Sequence, residues 1–212
     1  MHTEKIPKLT IPRLSLYYRA LLESRVSAFI SSEELSKLTQ FSAAQVRKDL
    51  TYFGEFGTPG KGYRIAELKE AILKILGTGR ECNIALIGAG NLGLALLAYK
   101  GFAAQGFRMV SVFDSNLSKI GKTFEGVLIR GMNELPQVVK NENIEIAIIA
   151  VPAEVAQEVV NRVVKSGITA ILNFAPIRPK TPKWVEILNI DLSIELERLS
   201  YFLRRKSKKS IK

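Results

Sequence analysis

Read by polarity alone, the chain changes period near its middle. Residues 14–29 place Leu14, Tyr17/Tyr18, Leu21/Leu22, Val26 and Phe29 at helical spacing, which predicts a helix with one apolar face. Pro12 falls in its first turn, where a missing N–H is harmless, and residues 1–10 read as loosely ordered. Ser31 with Glu34 forms a capping box ahead of a short helix through Leu38. Ser42 with Gln45 repeats that signal after the turn Thr39-Gln40-Phe41 and opens a third helix through Phe53. Residues 54–62 hold four glycines and a proline, and Tyr63-Arg64-Ile65 reads as a strand. Two short strands around such a loop make a wing. A helix over residues 66–76 and the linker Gly77-Thr78-Gly79 complete the first part.

Beyond the linker the pattern becomes that of buried strands alternating with helices. Residues 84–87 are a short apolar run leading into Gly88-Ala89-Gly90-Asn91-Leu92-Gly93. About a dozen residues at helical spacing follow, then a strand over 109–113 that ends on Asp114. Further strands are predicted at 127–129, 144–151, 169–174 and 185–190, with helices at 132–140 and 154–166. The run 144–151 is β-branched and apolar, typical of a strand covered on both faces. A last helix over 192–205 carries Leu192, Leu196, Leu199, Phe202 and Leu203 as an apolar stripe. Such alternation predicts an α/β fold around a parallel sheet.

Charge changes the picture more than composition does. Hydrophobic residues at 47% and charged residues at 24% are ordinary for a globular protein, but the net charge is +11. Residues 1–76 carry 12 basic and 8 acidic side chains, residues 77–203 carry 13 and 12, and residues 204–212 carry 6 and none. The excess at the two ends suits a polyanion, and the near-neutral middle suits a small ligand. The tail 204–212 reads equally as a solubilising extension or a direct contact. No run of about 18 uncharged apolar residues predicts a membrane span, and the N-terminus lacks the apolar core of a signal peptide. One cysteine, Cys82, excludes an intrachain disulfide and fits a reducing cytoplasm; at the start of a strand it reads as a buried structural thiol.

Residues 83–114 concentrate the chemistry as strand, glycine turn, helix, strand and acid. Gly88 serves the tight turn, Gly90 lets a pyrophosphate approach the main chain, and Gly93 lets helix and strand pack closely. The phosphates would rest on the helix N-terminus, near Ala89, Asn91 and Leu92, where free N–H groups and the macrodipole favour anions. Asp114 lies 21 residues after Gly93, placed to accept hydrogen bonds from a ribose diol. Its carboxylate would repel a 2′-phosphate, and Ser115-Asn116 supply no arginine to offset it, so NAD and NADH are expected over NADP. A glycine turn used only for packing is the plainer alternative. Val151-Pro152-Ala153 and Asn173-Phe174-Ala175-Pro176 fall at the carboxyl edge of the sheet, where ligands of such folds bind.

In the first part, short helix, turn and capped helix make a helix-turn-helix. The third helix would display Gln45, Arg47, Lys48 and Thr51 outward while Val46, Leu50 and Phe53 turn inward. Ser42 at its start, Tyr52 at its end and Lys61 in the loop complete a candidate DNA contact surface. Arg47 and Lys48 alone would be a solvated helix face.

A winged helix joined to a small NAD-type Rossmann domain resembles the Rex family of bacterial redox-sensing transcriptional repressors, over nearly the whole chain. Residues 46–54, VRKDLTYFG, are similar to that family's recognition-helix signature. Gly57 through Gly62-Tyr63 resembles its wing, and 88–93, Asp114 and 173–176 follow in family order. Where the family wing tip is often doubly basic, Thr58-Pro59 stands here, with Lys61 the nearby charge. The resemblance implies three parts: a winged helix over 1–77, a Rossmann domain over 78–191, and a swapped helix with a basic tail over 192–212. It implies a homodimer on a palindromic DNA operator, released when NADH replaces NAD⁺. It also implies a switch in which Arg13 and Tyr99 compete for Asp191 of the other subunit. From sequence alone Asp191 is a helix N-cap and Tyr99 a packing residue.

A dehydrogenase is the alternative from another class. It would need a substrate domain and a proton-transfer group, yet only 98 residues follow Asp114 and the one histidine is His2. A repressor whose nucleotide is merely structural is the third reading, and no catalytic or metal-binding set is predicted.

Overall fold

The computed structural model describes residues 6–24 and 28–209, the side chains of 205–209 apart. The chain divides at Arg80/Glu81 into two compact units.

In the first unit α1 (Thr10–Glu23) ends at Ser24, whose ψ of 130° leaves the helical region. The predicted continuation to residue 29 fails: Val26 lies outside the described residues, and Phe29-Ile30 is a strand, β1. Helices α2 (Ser32–Thr39) and α3 (Ala43–Thr51) follow, with Gln40 turning between them in the left-handed region. The strand β2 (Tyr63–Arg64) leads into α4 (Ile65–Leu76). Here the expected wing differs. β2 pairs antiparallel with β1, upstream of α2, and the glycine loop itself closes on a single bridge between Thr58 and Gly62. A long-range pairing therefore captures Phe29-Ile30, whose apolar spacing had continued the period of α1. The core comprises Leu14, Tyr17 and Leu21 of α1, Leu35, Val46, Leu50, and Leu68 and Ile72 of α4.

The second unit begins with β3 (Cys82–Ile87), the glycine turn and α5 (Asn91–Ala98). That helix is eight residues long, shorter than the expected dozen, because the backbone turns out at Tyr99 and enters a 3-10 turn at Ala103–Gln105. There follow β4 (Phe107–Asp114), β5 (Thr123–Phe124), β6 (Val127–Gly131), α6 (Leu135–Asn141) and β7 (Ile144–Ile149). The chain continues through α7 (Ala153–Lys165), β8 (Ala170–Asn173), β9 (Glu186–Asn189) and α8 (Leu192–Lys209). The sheet order is β5-β6-β4-β3-β7-β8-β9, parallel throughout except for the β5-β6 hairpin. The strand order reverses at β3, flanked by β4 on one side and β7 on the other, so a crevice opens at its carboxyl end. Side chains of β3, β4 and β7 divide between two cores, one per sheet face. Cys82 is buried at the start of β3, as expected of a structural thiol.

Helix α8 has no such cover: every residue from 192 to 204 is exposed, including Leu196, Leu199 and Phe202. Among the described residues no helix is long and apolar enough to cross a membrane.

Candidate functional site

At the carboxyl end of β3 the glycines have distinct reasons. Gly88 has φ +103°, and a Cβ there would strike the Ala150 carbonyl just beyond β7. A Cβ at Gly93 would run into the Gly88 carbonyl oxygen, so α5 could not pack on the turn. At Gly90 a Cβ would meet no protein atom within 4 Å, yet Gly90 lines a cavity, so this position keeps space open above the turn. Gly90 also precedes α5, whose first N–H groups are left for a ligand.

The cavity measures about 400 Å³ and is lined by Gly88, Gly90, Asp114, Val151 and Pro152 of the predicted set. It also takes in Lys119, Met132, Glu158 and Arg162, which the sequence reading did not single out. Ala89, Asn91, Leu92, Gly93, Phe174, Ala175 and Pro176 are not in its lining. Asn91 and Leu92 are exposed on the first turn of α5. Ala175 is buried, its N–H donated to the buried Asn173 Oδ1, and the Phe174 N–H bonds the Ile149 carbonyl. The 173–176 segment therefore adjoins the end of β7, and none of its four residues lines this cavity, contrary to the expectation for Phe174, Ala175 and Pro176.

Asp114 is only 11% exposed at its side chain. Its Oδ2 accepts the Ala89 N–H at 2.9 Å and faces the Lys119 ammonium at 3.4 Å, while Oδ1 accepts the Asn116 N–H at 2.8 Å. Burial pushes this carboxyl up, but the two backbone donors and the lysine charge outweigh it and hold it below the usual range. The site therefore presents a fixed carboxylate, with a cation beside it that Ser115-Asn116 do not supply. The signal missed was Lys119 in the loop five residues on, whose reach back to Asp114 depends on the fold of residues 115–118.

On the first unit, Ser42 caps α3 by accepting the Gln45 N–H at 3.2 Å. Ser31 and Glu34 form the full reciprocal box on α2. Gln45 does not reciprocate at α3; its amide instead donates to Asp49, one turn on, at 2.9 Å. Arg47 is exposed as expected but tethered, donating to Ser32 Oγ at 2.7 Å and pairing with Glu33 at 3.0 Å. Lys48 and Thr51 are exposed, Tyr52 is half-buried and Lys61 is exposed in the wing loop. Arg47 and Thr51 share with Lys61 the lining of a cleft of about 710 Å³ between α3 and the loop.

Behind this surface lies a group the sequence reading passed over. Asp49, on α3, is completely buried. Its carboxylate takes Arg13 at 2.5 and 2.6 Å, the Tyr17 hydroxyl at 2.8 Å, Thr10 at 3.3 Å and Gln45. Burial alone would raise its pKa; these donors, Arg13 first, bring it below the usual range, and burial with the Asp49 bond pushes Tyr17 up. Arg13 thus joins α1 to α3. Tyr99 is exposed and packs edge-on against Phe102 at 5.1 Å, and Asp191 accepts the Ser193 N–H at 3.0 Å as an N-cap of α8. Within one chain, then, the three expected switch residues each have a local role. His2 lies outside the described residues, and among those described no group of acids, cysteines or histidines could hold a metal.

A helix-turn-helix that presents cations, carried on one chain with a doubly wound unit open over a glycine turn, defines a nucleotide-responsive DNA-binding protein. Comparison with known proteins agrees. Residues 5–51 match the family described as "Putative DNA-binding protein N-terminus", and residues 80–177 match the family "CoA binding domain". The chain is 46% identical over 210 residues to a redox-sensing transcriptional repressor Rex of Desulforamulus reducens, covering 98% of this chain and 100% of that one. It is 47% identical over 203 residues to the repressor of the same name from Carboxydothermus hydrogenoformans, covering 95% and 98%. A crystal structure of RSP in complex with beta-NAD⁺ and operator DNA superposes with a TM-score of 0.90 at 36% identity, over 98% of this chain and 97% of that one. RSP in complex with beta-NADH gives 0.85 at 35% identity, over 99% and 100%. The chain belongs to the Rex family of redox-sensing transcriptional repressors, and its relatives are named as repressors rather than enzymes.

Proposed function

We propose that this chain is a cytoplasmic repressor that binds a palindromic operator as a homodimer and leaves it when NADH replaces NAD⁺. The observation that carries the reading is the joining, in one chain, of the Arg47–Lys48–Lys61 surface to the Asp114-flanked cavity over Gly88 and Gly90. Support for the dimer comes from α8, whose exposed leucines and Phe202 need a partner surface. A dehydrogenase finds no support among the relatives, which are named as transcriptional repressors.

NAD⁺ and NADH share every phosphate and ribose, so only the nicotinamide distinguishes them, as a planar cation or a neutral puckered ring. Val151, Pro152, Val155 and Val159 give the cavity an apolar wall, against which an unpaired cation is costly. Glu158 and Arg162 add one charge of each sign to the lining. The wall therefore favours NADH. By linkage, the conformation that favours NADH is the one that disfavours DNA. Arg13 and Tyr99 are the alternative partners of Asp191 of the other subunit, one in each state. Fluorescence anisotropy of a labelled palindromic duplex, titrated at several NADH/NAD⁺ ratios and fixed salt, tests the reading. Affinity should fall as NADH rises; an affinity indifferent to the ratio would leave the nucleotide a structural role only.

A further inference from the structure

The acceptor capacity of Asp114 is nearly filled before any ligand arrives. A carboxylate oxygen accepts about two hydrogen bonds. Oδ2 already faces two donors, the Ala89 N–H and the Lys119 ammonium, and Oδ1 has one, the Asn116 N–H. A ribose diol that donates one bond to each oxygen can do so only if Lys119 turns away from Oδ2. Lys119 is held to the turn as well, donating to the Ala89 carbonyl at 2.9 Å. Of the three N–H donors of its ammonium these contacts use two, and the side chain lines the cavity, about one-third exposed. The third donor is free for an oxygen at the ribose.

We propose that Lys119 is a determinant of nucleotide specificity, a cation that passes from Asp114 to the 2′ and 3′ oxygens of the adenosine ribose. The proposal rests on the dinucleotide reading of this cavity. Selection against a 2′-phosphate is then set by the Asp114–Lys119 pair and not by the acid alone. Asp114 repels the phosphate, Lys119 attracts it, and the net discrimination is modest. The charges act over a few ångströms in a partly enclosed site, where they are screened less than at an open surface. An ammonium is a mobile point charge that can follow either acceptor.

The test is titration of wild type, Lys119→Met and Lys119→Arg with NADH and NADPH by fluorescence, and with ADP-ribose and its 2′-phosphate by calorimetry. Lys119→Met keeps the apolar stem and removes the charge. It should weaken NADH and ADP-ribose a few-fold, about the loss of one hydrogen bond to the ribose, and NADPH and 2′-phospho-ADP-ribose at least about tenfold more than that, from the loss of the ionic contact to the phosphate. Lys119→Arg should restore most of the phosphate affinity. In wild type the NADPH affinity should fall faster with salt than the NADH affinity, and Lys119→Met should abolish that excess. Equal weakening of all four ligands overturns the proposal, because it makes Lys119 a peg for the glycine turn through the Ala89 carbonyl. No change in any ligand overturns it too. Failure of wild type to bind NADH or ADP-ribose at all is a separate result, which removes the dinucleotide reading itself.

Discussion

Two carboxylates, Asp49 buried and Asp114 half-buried, divide the work at the level of single residues, and each makes a prediction. Asp114→Ala removes both an acceptor for the ribose and the charge that repels a 2′-phosphate. NADH should weaken by about tenfold, the loss of roughly one charged hydrogen bond, and the gap to NADPH should close. Calorimetric titration checks this, and a wild type that binds NADPH as tightly as NADH contradicts the role given to the acid. Asp49→Ala leaves Arg13 and the buried Tyr17 hydroxyl without their acceptor, which should destabilise the first unit by about 3 kcal/mol, the cost of breaking a buried pair. The pH dependence has a definite sign. The folded pKa of Asp49 lies below its unfolded value, so its stabilisation is complete above about pH 4 and fades as the pH falls through the lower folded value. Urea unfolding monitored between pH 3 and 7 should show that slope in wild type and lose part of it in Asp49→Asn.

These two acids also show what a sequence discloses. Asp114 was legible because its place follows from a local rule, the spacing of strand, turn and helix within one βαβ unit. Asp49 was not, because on polarity an acid beside Arg47 and Lys48 belongs outside. Its burial depends on Arg13, 36 residues away on another helix. Lys119 escaped for a related reason, since a loop conformation brings it back to the glycine turn.

At the scale of elements, periodicity found the helices and most strands, and failed where pairing is long-range. Phe29 continued the apolar stripe of α1 in spacing, yet backbone pairing with Tyr63-Arg64 makes it a strand. The eight-residue α5 and the β5 strand depend on turns that carry no periodic signal. For α3 and its wing loop the consequences are separable. Arg47→Ala should relax operator discrimination by about 1–3 kcal/mol, as expected of a base-reading arginine. Lys61→Ala should weaken all duplexes alike and reduce the salt slope by about one, as expected of a phosphate contact. Anisotropy against operator and scrambled duplexes at several salt concentrations distinguishes the two, and unchanged affinity in both variants would dismiss this surface. If Arg47 reads a base, it must exchange its contacts to Ser32 and Glu33 for new partners on DNA.

For the whole molecule the question is coupling between two units. Asp191 caps α8 in its own chain through Ser193, and that local role survives substitution only as a modest loss of helix stability, about 1 kcal/mol. If Asp191 is also the shared partner of Arg13 and Tyr99 across the dimer, Asp191→Ala should bind NADH normally and no longer release DNA. Full NADH-driven release by that variant, measured in the same anisotropy assay, would remove the switch while leaving both binding sites in place. Arg13 reaches α3 through Asp49, so if Arg13 changes partners the loss falls on the helix that carries Arg47 and Lys48.

Coupling between sites is reciprocal, and that reciprocity gives the most direct test of the central claim. NADH affinity of the full chain should be measured by fluorescence with and without a saturating palindromic operator duplex. If NADH and DNA favour opposite conformations, the duplex must weaken NADH by the same factor by which NADH weakens the duplex, at least about fivefold for a coupling of roughly 1 kcal/mol. NAD⁺ affinity should not fall. An NADH affinity that is the same with and without the duplex would contradict a redox-gated repressor, whatever the two sites bind separately.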